Sequence, residues 1–225
     1  MQAVNEGAGP EHSFGVNIRL PFEEKPNPVS EGNPRFITYK YFFNRKVAFL
    51  KEADAVALFP GGFGTLDEAM ETLTLVQTGK RNPMPLVLVD DPDRPYWPHL
   101  IKFLEEELLA RRYLCPSDFS LFERVCSVED AVEKIQHFYR RYHSLRYVRG
   151  QLVIRLTSPL SPKDIRKLTD QFHDIFLPGG RIAASGALEA EMDDEDVRHL
   201  PRLVIDFNRK DFGRLRGLID SINDF

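Results

Sequence analysis

The stretch LFPGGFGTLDEA, residues 58–69, constrains the fold more than any other part of this 225-residue chain. It places one proline and three glycines between the apolar run DAVALF and a helical pattern of apolar residues. An unbroken apolar run is typical of a strand covered on both faces, and a helix directly after it is typical of a βαβ unit. The sequence therefore predicts a glycine loop between the carboxyl end of a parallel strand and the amino end of a helix.

The same alternation continues along the chain and predicts its fold class. The runs PLVLVDD (residues 85–91) and FERVCS (residues 122–127) predict further strands, with amphipathic helical patterns between and after them. We therefore predict an α/β fold over residues 1–145, a Rossmann-like parallel sheet flanked by helices. Over residues 150–225 the pattern changes to β-α-β-β-α, which predicts a small α+β module after the basic linker RRYHSLRYVRG. We expect this module to serve packing or oligomer contact, and a regulatory role stays open.

Composition and charge exclude several classes of protein. A net charge of −4 argues against a dedicated nucleic-acid-binding protein. No stretch approaches ~18 apolar residues, and the first residues lack the pattern of a signal peptide. The two cysteines form no disulfide framework, and the six histidines follow no metal-ligand spacing. We expect a cytoplasmic protein without a metal site, and neither nucleic acid nor membrane as a partner.

The glycine loop has two interpretations from the residues alone. In the first, Thr65 is the N-cap of the helix and Glu68 completes a capping box, which needs no ligand. In the second, backbone N–H groups and the helix dipole form an anion site at the edge where open α/β sheets bind ligands. The loop matches neither GxGxxG nor GxxxxGK[ST], so the two common nucleotide loops are excluded. A carboxylate at Glu68, beside such an anion, suits positive charge developing on a sugar.

The longer stretch RKVAFLKEADAVALFPGGFGTLDE resembles the paired motif of the LOG ("lonely guy") family, the cytokinin riboside 5′-monophosphate phosphoribohydrolases. Older descriptions label this family "possible lysine decarboxylase". Its pattern is Arg-Lys on one helix, then a strand and PGGxGTxxE, and this chain matches it without a gap. The order of elements from residue 14 to about residue 142 is also similar. The segment LTLVQTGK resembles the part of the family that lines the base-side pocket.

The resemblance implies hydrolysis of the N-glycosidic bond of a nucleoside 5′-monophosphate, giving free base and ribose 5-phosphate without a cofactor. It implies that Arg45 and Glu68 are the catalytic pair. The residues that it implies for substrate binding are Lys46, Gly61, Gly62, Gly64 and Thr65. Lysine decarboxylation gains no support, because it needs pyridoxal phosphate on a lysine and no such constellation is found. We also expect a homodimer.

The first residues depart from the family pattern. Members begin with a strand, a helix and a second strand before a glycine-rich turn, and MQAVNEGAG resembles the helix after that turn. We therefore expect about the first third of the nucleotide fold to be missing, and the chain alone to be poorly soluble, inactive or paired with something else. The alternative function is a non-catalytic nucleotide- or cofactor-binding Rossmann module, or an inactive fragment of such an enzyme. Within the enzyme hypothesis, purine or pyrimidine monophosphates and cytokinin precursors are equally open as substrates.

Overall fold

The structure is a computed structural model that describes residues 6–9, 11–18 and 34–225. The chain divides into two compact units, Met1–Ala53 and Asp54–Phe225. Within the described ranges, no helix is both long enough and apolar enough to cross a membrane. Most of MQAVNEGAG, the stretch that resembles a helix of the family, lies outside the described residues.

The first unit contains a short parallel sheet and one helix. Strands β1 (Gly15–Ile18) and β2 (Phe36–Tyr39) pair in parallel, and helix α1 (Phe42–Glu52) packs on them. Arg45 and Lys46 lie on α1, which agrees with the family pattern of an Arg-Lys pair on one helix.

The second unit begins with a three-stranded parallel sheet in the order β3-β4-β5. Its elements in chain order are β3 (Val56–Leu58), α2 (Phe63–Gln77), β4 (Leu86–Val89), α3 (Trp97–Phe103), β5 (Glu123–Val125) and α4 (Val128–Phe138).

The central strand β4 is buried on both faces, which explains its unbroken apolar sequence. Leu86 and Leu88 pack with residues of α2 and α3 on one face of the sheet. Val87 and Val89 pack against α4 on the other face. Because side chains alternate along a strand, each face receives its own helices. This arrangement confirms the predicted α/β class.

Helix α3 does not continue regularly as predicted. Leu104–Leu109 form π-helical turns, in which the amide of Ala110 donates to the carbonyl of Glu105, and Pro116–Leu121 form a 3₁₀ helix before β5. The helical pattern predicted between the strands at residues 85–91 and 122–127 therefore contains an α-helical part followed by a π-helical part.

The rest of the second unit is an antiparallel sheet with two helices, in the strand order β6-β7-β9-β8. Its elements are β6 (Tyr142–Val148), β7 (Gln151–Leu156), α5 (Pro162–Gln171), β8 (Ile182–Ser185), β9 (Arg202–Ile205) and α6 (Phe212–Asn223). The predicted β-α-β-β-α order is found from β7 onward.

The prediction that RRYHSLRYVRG is a linker is wrong, because most of its residues form β6. Tyr142, Leu145 and Val148 are buried along this strand, while polar residues and Arg146 between them interrupt the apolar pattern. Arg149 and Gly150 follow with φ values of 48° and 93°. Two central residues with positive φ are what a tight hairpin turn between twisted strands requires.

Helix α6 joins the two sheets into one compact unit. It contacts the 3₁₀ helix before β5 as well as β6, α4 and α5. Near its end, the Asn223 side chain accepts from the amides of Arg141 and Tyr142 and donates to the carbonyl of Phe138. The predicted boundary between residues 1–145 and 150–225 falls within β6 and the turn after it, and α6 packs against elements on both sides of that boundary. The division into these two domains stays a prediction.

Candidate functional site

Helix α2 begins earlier than the capping-box interpretation requires. Its N-cap is Gly62, whose carbonyl accepts from the amides of Thr65 and Leu66 at 3.1 and 3.2 Å. The prediction that Thr65 is the N-cap is therefore wrong, and so is the capping box that would place Glu68 in the first turn. Glycine serves as an N-cap about as well as threonine. The helix can therefore begin at Phe63, directly after Gly62, three residues earlier than a Thr65 N-cap would allow.

The glycines leave one face of the loop open. A Cβ at Gly61 would lie 2.2 Å from the Thr65 hydroxyl oxygen, so this position needs glycine for close packing. Gly62 and Gly64 are exposed, and no atom lies within 4 Å of where their Cβ atoms would be. Backbone N–H groups in the first turn of a helix have no partner in the turn before them. This junction therefore suits an anion that approaches the backbone closely.

Glu68 lies on the same helix, behind the loop. It is half-buried and is five residues after Phe63, a separation of about 7.5 Å along the helix axis. Side chains on a helix lean toward its amino end, which brings the carboxylate back toward the loop. A phosphate at the loop and a carboxylate one turn away suit the two ends of a phosphorylated sugar.

The remaining predicted residues belong to the first unit. Arg45 and Lys46 are half-buried neighbours on α1, and the Arg45 guanidinium carbon lies 5.4 Å from the centroid of the Phe42 ring. The structure thus places the predicted residues in two groups, one on α1 and one at the junction of β3 and α2. The pairing of Arg45 with Glu68 stays a prediction.

Three hydrogen-bonded residues that lead away from the loop were not predicted from the sequence. The Tyr96 hydroxyl donates to the Gly61 carbonyl at 2.8 Å. The Asp90 carboxylate accepts from the Tyr96 amide at 2.7 Å and from Arg124 Nε at 2.8 Å. The available signal was the acid that directly follows the buried strand β4, since strand ends meet at the ligand-binding edge of a parallel sheet.

The charge of Asp90 is fixed by its partners. Burial of the side chain opposes its ionisation, but the Tyr96 amide, the Arg124 guanidinium and the Trp97 amide together lower the pKa of Asp90 below its ordinary value. The bond to Asp90 in turn raises the pKa of Arg124. Asp90 and Arg124 therefore form an ion pair that connects the end of β4 to β5.

Comparison with known proteins identifies the family. Residues 1–135 match the profile of a protein family described as "Possible lysine decarboxylase". The chain belongs to this family. This LOG-family chain is 38% identical to the cytokinin riboside 5′-monophosphate phosphoribohydrolase LOG7 of Arabidopsis thaliana over 185 residues. The aligned residues are 82% of this chain and 73% of LOG7.

Two further LOG-family relatives match over a shorter range. The phosphoribohydrolase LOG3 of Arabidopsis thaliana is 25% identical over 138 residues, which are 61% of this chain and 60% of LOG3. The probable phosphoribohydrolase LOGL9 of Oryza sativa subsp. japonica is 30% identical over 138 residues, 61% of this chain and 57% of that protein. The chain thus spans about 60% of the length of these two relatives. The family and its Rossmann-like fold are confirmed.

Proposed function

We propose that this LOG-family chain hydrolyses the N-glycosidic bond of a nucleoside 5′-monophosphate. The observation that carries the proposal is the open glycine loop, with Glu68 about one helical turn behind it on the same helix. The names of the curated relatives, which are phosphoribohydrolases, support this reaction class. The products are free base and ribose 5-phosphate.

The proposed mechanism divides binding and chemistry between the loop and Glu68. Backbone N–H groups of Gly61, Gly62 and Gly64, together with the Thr65 hydroxyl, hold the 5′-phosphate and the ribose. The bond between C1′ and the base nitrogen breaks, its electron pair leaves with the base, and positive charge develops on the sugar ring. The Glu68 carboxylate stabilises that charge and orients the water whose oxygen bonds to C1′, while a proton of the water ends on the base.

The cations of α1 complete the proposal. Arg45 holds the substrate or the leaving base, because its planar guanidinium donates several hydrogen bonds in a fixed geometry. Lys46 adds a second positive charge toward the substrate. Both roles depend on the family motif.

Substitution of Glu68 tests the mechanism. The purified chain is incubated with AMP, pyrimidine 5′-mononucleotides or isopentenyladenosine monophosphate, and free base is measured by chromatography. We expect Glu68→Gln to slow base release by about 100-fold or more, because it removes the negative charge without changing the size of the side chain. Asp67→Asn, a neighbouring exposed acid on the same helix, is the matched control and is expected to retain activity.

Equal rates for Glu68→Gln and the parent would overturn the assigned role of the carboxylate. Tight nucleotide binding by calorimetry without any base release would support the alternative, a non-catalytic nucleotide-binding module. The same set of substrates separates a preference for cytokinin precursors from a general mononucleotide activity. The homodimer and the cytoplasmic location stay predictions.

A further inference from the structure

The Gly61 carbonyl is held from outside its own loop. Gly61 belongs to the turn after β3, and the Tyr96 hydroxyl that donates to it lies 35 residues later, at the start of α3. Both residues belong to the second compact unit. The bond therefore ties the end of one strand to the element that follows the next strand.

Tyr96 is itself fixed at two points. Its amide donates to the buried Asp90 carboxylate, and its ring meets the Trp97 ring edge-on with centroids 4.8 Å apart. Trp97 is fully buried and donates from Nε1 to the Val89 carbonyl at 3.0 Å. Because the backbone and ring are both anchored to the end of β4, the hydroxyl is presented from a rigid position.

The bond to Gly61 also fixes the direction of the next amide. A peptide unit is planar and trans, so its N–H points opposite to its C=O. The Gly61 carbonyl points at Tyr96, and the Gly62 N–H of the same peptide unit therefore points away from Tyr96. Between two glycines this unit could otherwise rotate with little steric resistance, since glycine adopts a wide range of backbone angles.

We infer that Tyr96 is a positioning residue that holds the Gly61–Gly62 peptide in the orientation needed to bind a phosphate. This inference rests on the proposed function for the identity of the ligand. Asp90 supports it by holding the Tyr96 backbone, and Arg124 supports Asp90. The expected ligand group is the 5′-phosphate of a mononucleotide or of ribose 5-phosphate.

The test compares two tyrosines that each donate to a backbone carbonyl. Tyr96→Phe removes only the hydroxyl at the loop. Tyr139→Phe is the matched control, because Tyr139 is also half-buried and donates to the Asp54 carbonyl at 2.6 Å, before the amino end of β3 and thus at the opposite edge of the sheet. General loss of packing would affect the two variants alike.

Two readouts separate positioning from structure. Calorimetry with ribose 5-phosphate and steady-state kinetics with AMP should give about three- to tenfold weaker binding and a correspondingly higher KM for Tyr96→Phe, with kcat near the parent value. This split is expected because the phosphate is bound equally in the ground state and the transition state. Tyr139→Phe should change neither affinity nor KM. Unchanged affinity in Tyr96→Phe, or equal losses in both variants, would overturn the inference.

Amide hydrogen exchange tests loop positioning without any activity. The amides of Thr65 and Leu66 donate to the Gly62 carbonyl, so their exchange reports the order of the loop. We expect faster exchange at these amides in Tyr96→Phe and parent-like exchange in Tyr139→Phe. If the parent releases no base, the proposed reaction fails while the exchange comparison still decides the role of Tyr96. Parent-like exchange in Tyr96→Phe would then reject that role.

Discussion

Asp90 is 4% exposed, yet it carries a charge that its neighbours stabilise. Its pKa in the folded protein lies below the ordinary value of 3.8, whereas the unfolded chain has a value of about 3.9. A carboxylate with a lowered folded pKa contributes stability above the unfolded pKa, and this contribution is lost as the pH falls through the folded pKa. The contribution of Asp90 should therefore be complete at neutral pH and decline below about pH 4.

Asp90→Asn is expected to lower the free energy of unfolding by about 2 kcal/mol at pH 7, because two charge-assisted hydrogen bonds are weakened. The difference between parent and variant should shrink as the pH is lowered from 5 to 3. Urea denaturation at each pH measures it. Asp91→Asn, at the exposed neighbouring residue, is the control and should leave stability nearly unchanged at every pH. A pH-independent difference for Asp90→Asn would contradict the assignment of a lowered pKa.

At the scale of elements, two glycines of α6 have opposite environments. A Cβ at Gly213 would lie 2.2 Å from the backbone carbonyl oxygen of Ser117, at the contact with the 3₁₀ helix. A Cβ at Gly217 would meet the Phe172 ring at 3.7 Å, which is an ordinary contact. The first glycine is therefore required by close approach, whereas the second is only a weak residue for a helix.

Gly213→Ala should lower the free energy of unfolding by about 2 kcal/mol, since backbone must move to admit the methyl group. Gly217→Ala should raise it by about 0.5 kcal/mol, because alanine loses less conformational entropy in a helix. Chemical denaturation of the two variants beside the parent measures both effects. The close contact of α6 would be rejected if the two alanines changed stability by the same amount.

The elements of the parallel sheet could be predicted because their signals are local. An unbroken apolar run marks β4 and 3.6-residue spacing marks α2, and neither depends on distant residues. The start of α2 could not be predicted in the same way, since Gly62 and Thr65 are both acceptable N-caps and the path of the loop decides between them. Strand β6 was missed because Arg146, together with Arg140, Arg141 and Arg149 that flank the strand, gives this stretch the composition of a basic linker.

At the scale of the whole molecule, Arg216 connects the two sheets of the second unit. It is 1% exposed on α6, donates to the Met84 carbonyl before β4 and pairs with Glu123 on β5 at 3.0 Å. It also pairs with Asp220 on its own helix, and its guanidinium lies over the Phe138 ring. Removal of one partner from a buried ion pair leaves the other charges uncompensated.

Arg216→Met should therefore lower the free energy of unfolding of the second unit by about 3 kcal/mol. Trp97, the one tryptophan of the sequence, packs against the three-stranded parallel sheet. Its fluorescence therefore reports unfolding of that sheet, whereas far-UV circular dichroism reports unfolding of the whole chain. We expect the fluorescence transition of the variant to shift to lower denaturant. Arg214→Met is the control, because Arg214 pairs with Asp174 near the surface and such pairs contribute less than about 1 kcal/mol. Equal shifts in the two variants would reject the role of Arg216 as a link.

The contacts of Tyr96 and Arg124 could not be predicted from the sequence, because they depend on the fold of the whole molecule. The loop and Glu68 are contiguous in sequence, so a motif contains them. Tyr96 and Arg124 reach Gly61 and Asp90 across 35 and 34 residues, and only the order of strands in the sheet brings them together. A single sequence carries no periodic signal for such a contact.

The position of α6 has a consequence for synthesis of the protein. The buried residues of α6 complete the core of the antiparallel sheet. Arg216 on the same helix bonds to Glu123 of the parallel sheet, which precedes it by more than 90 residues in the sequence. Chains emerge from the ribosome amino end first, so β3, β4 and β5 are exposed before the helix that packs beside them exists. The glycine loop can form early during translation, but the unit that holds it cannot reach its final packing until residues 212–223 have been released.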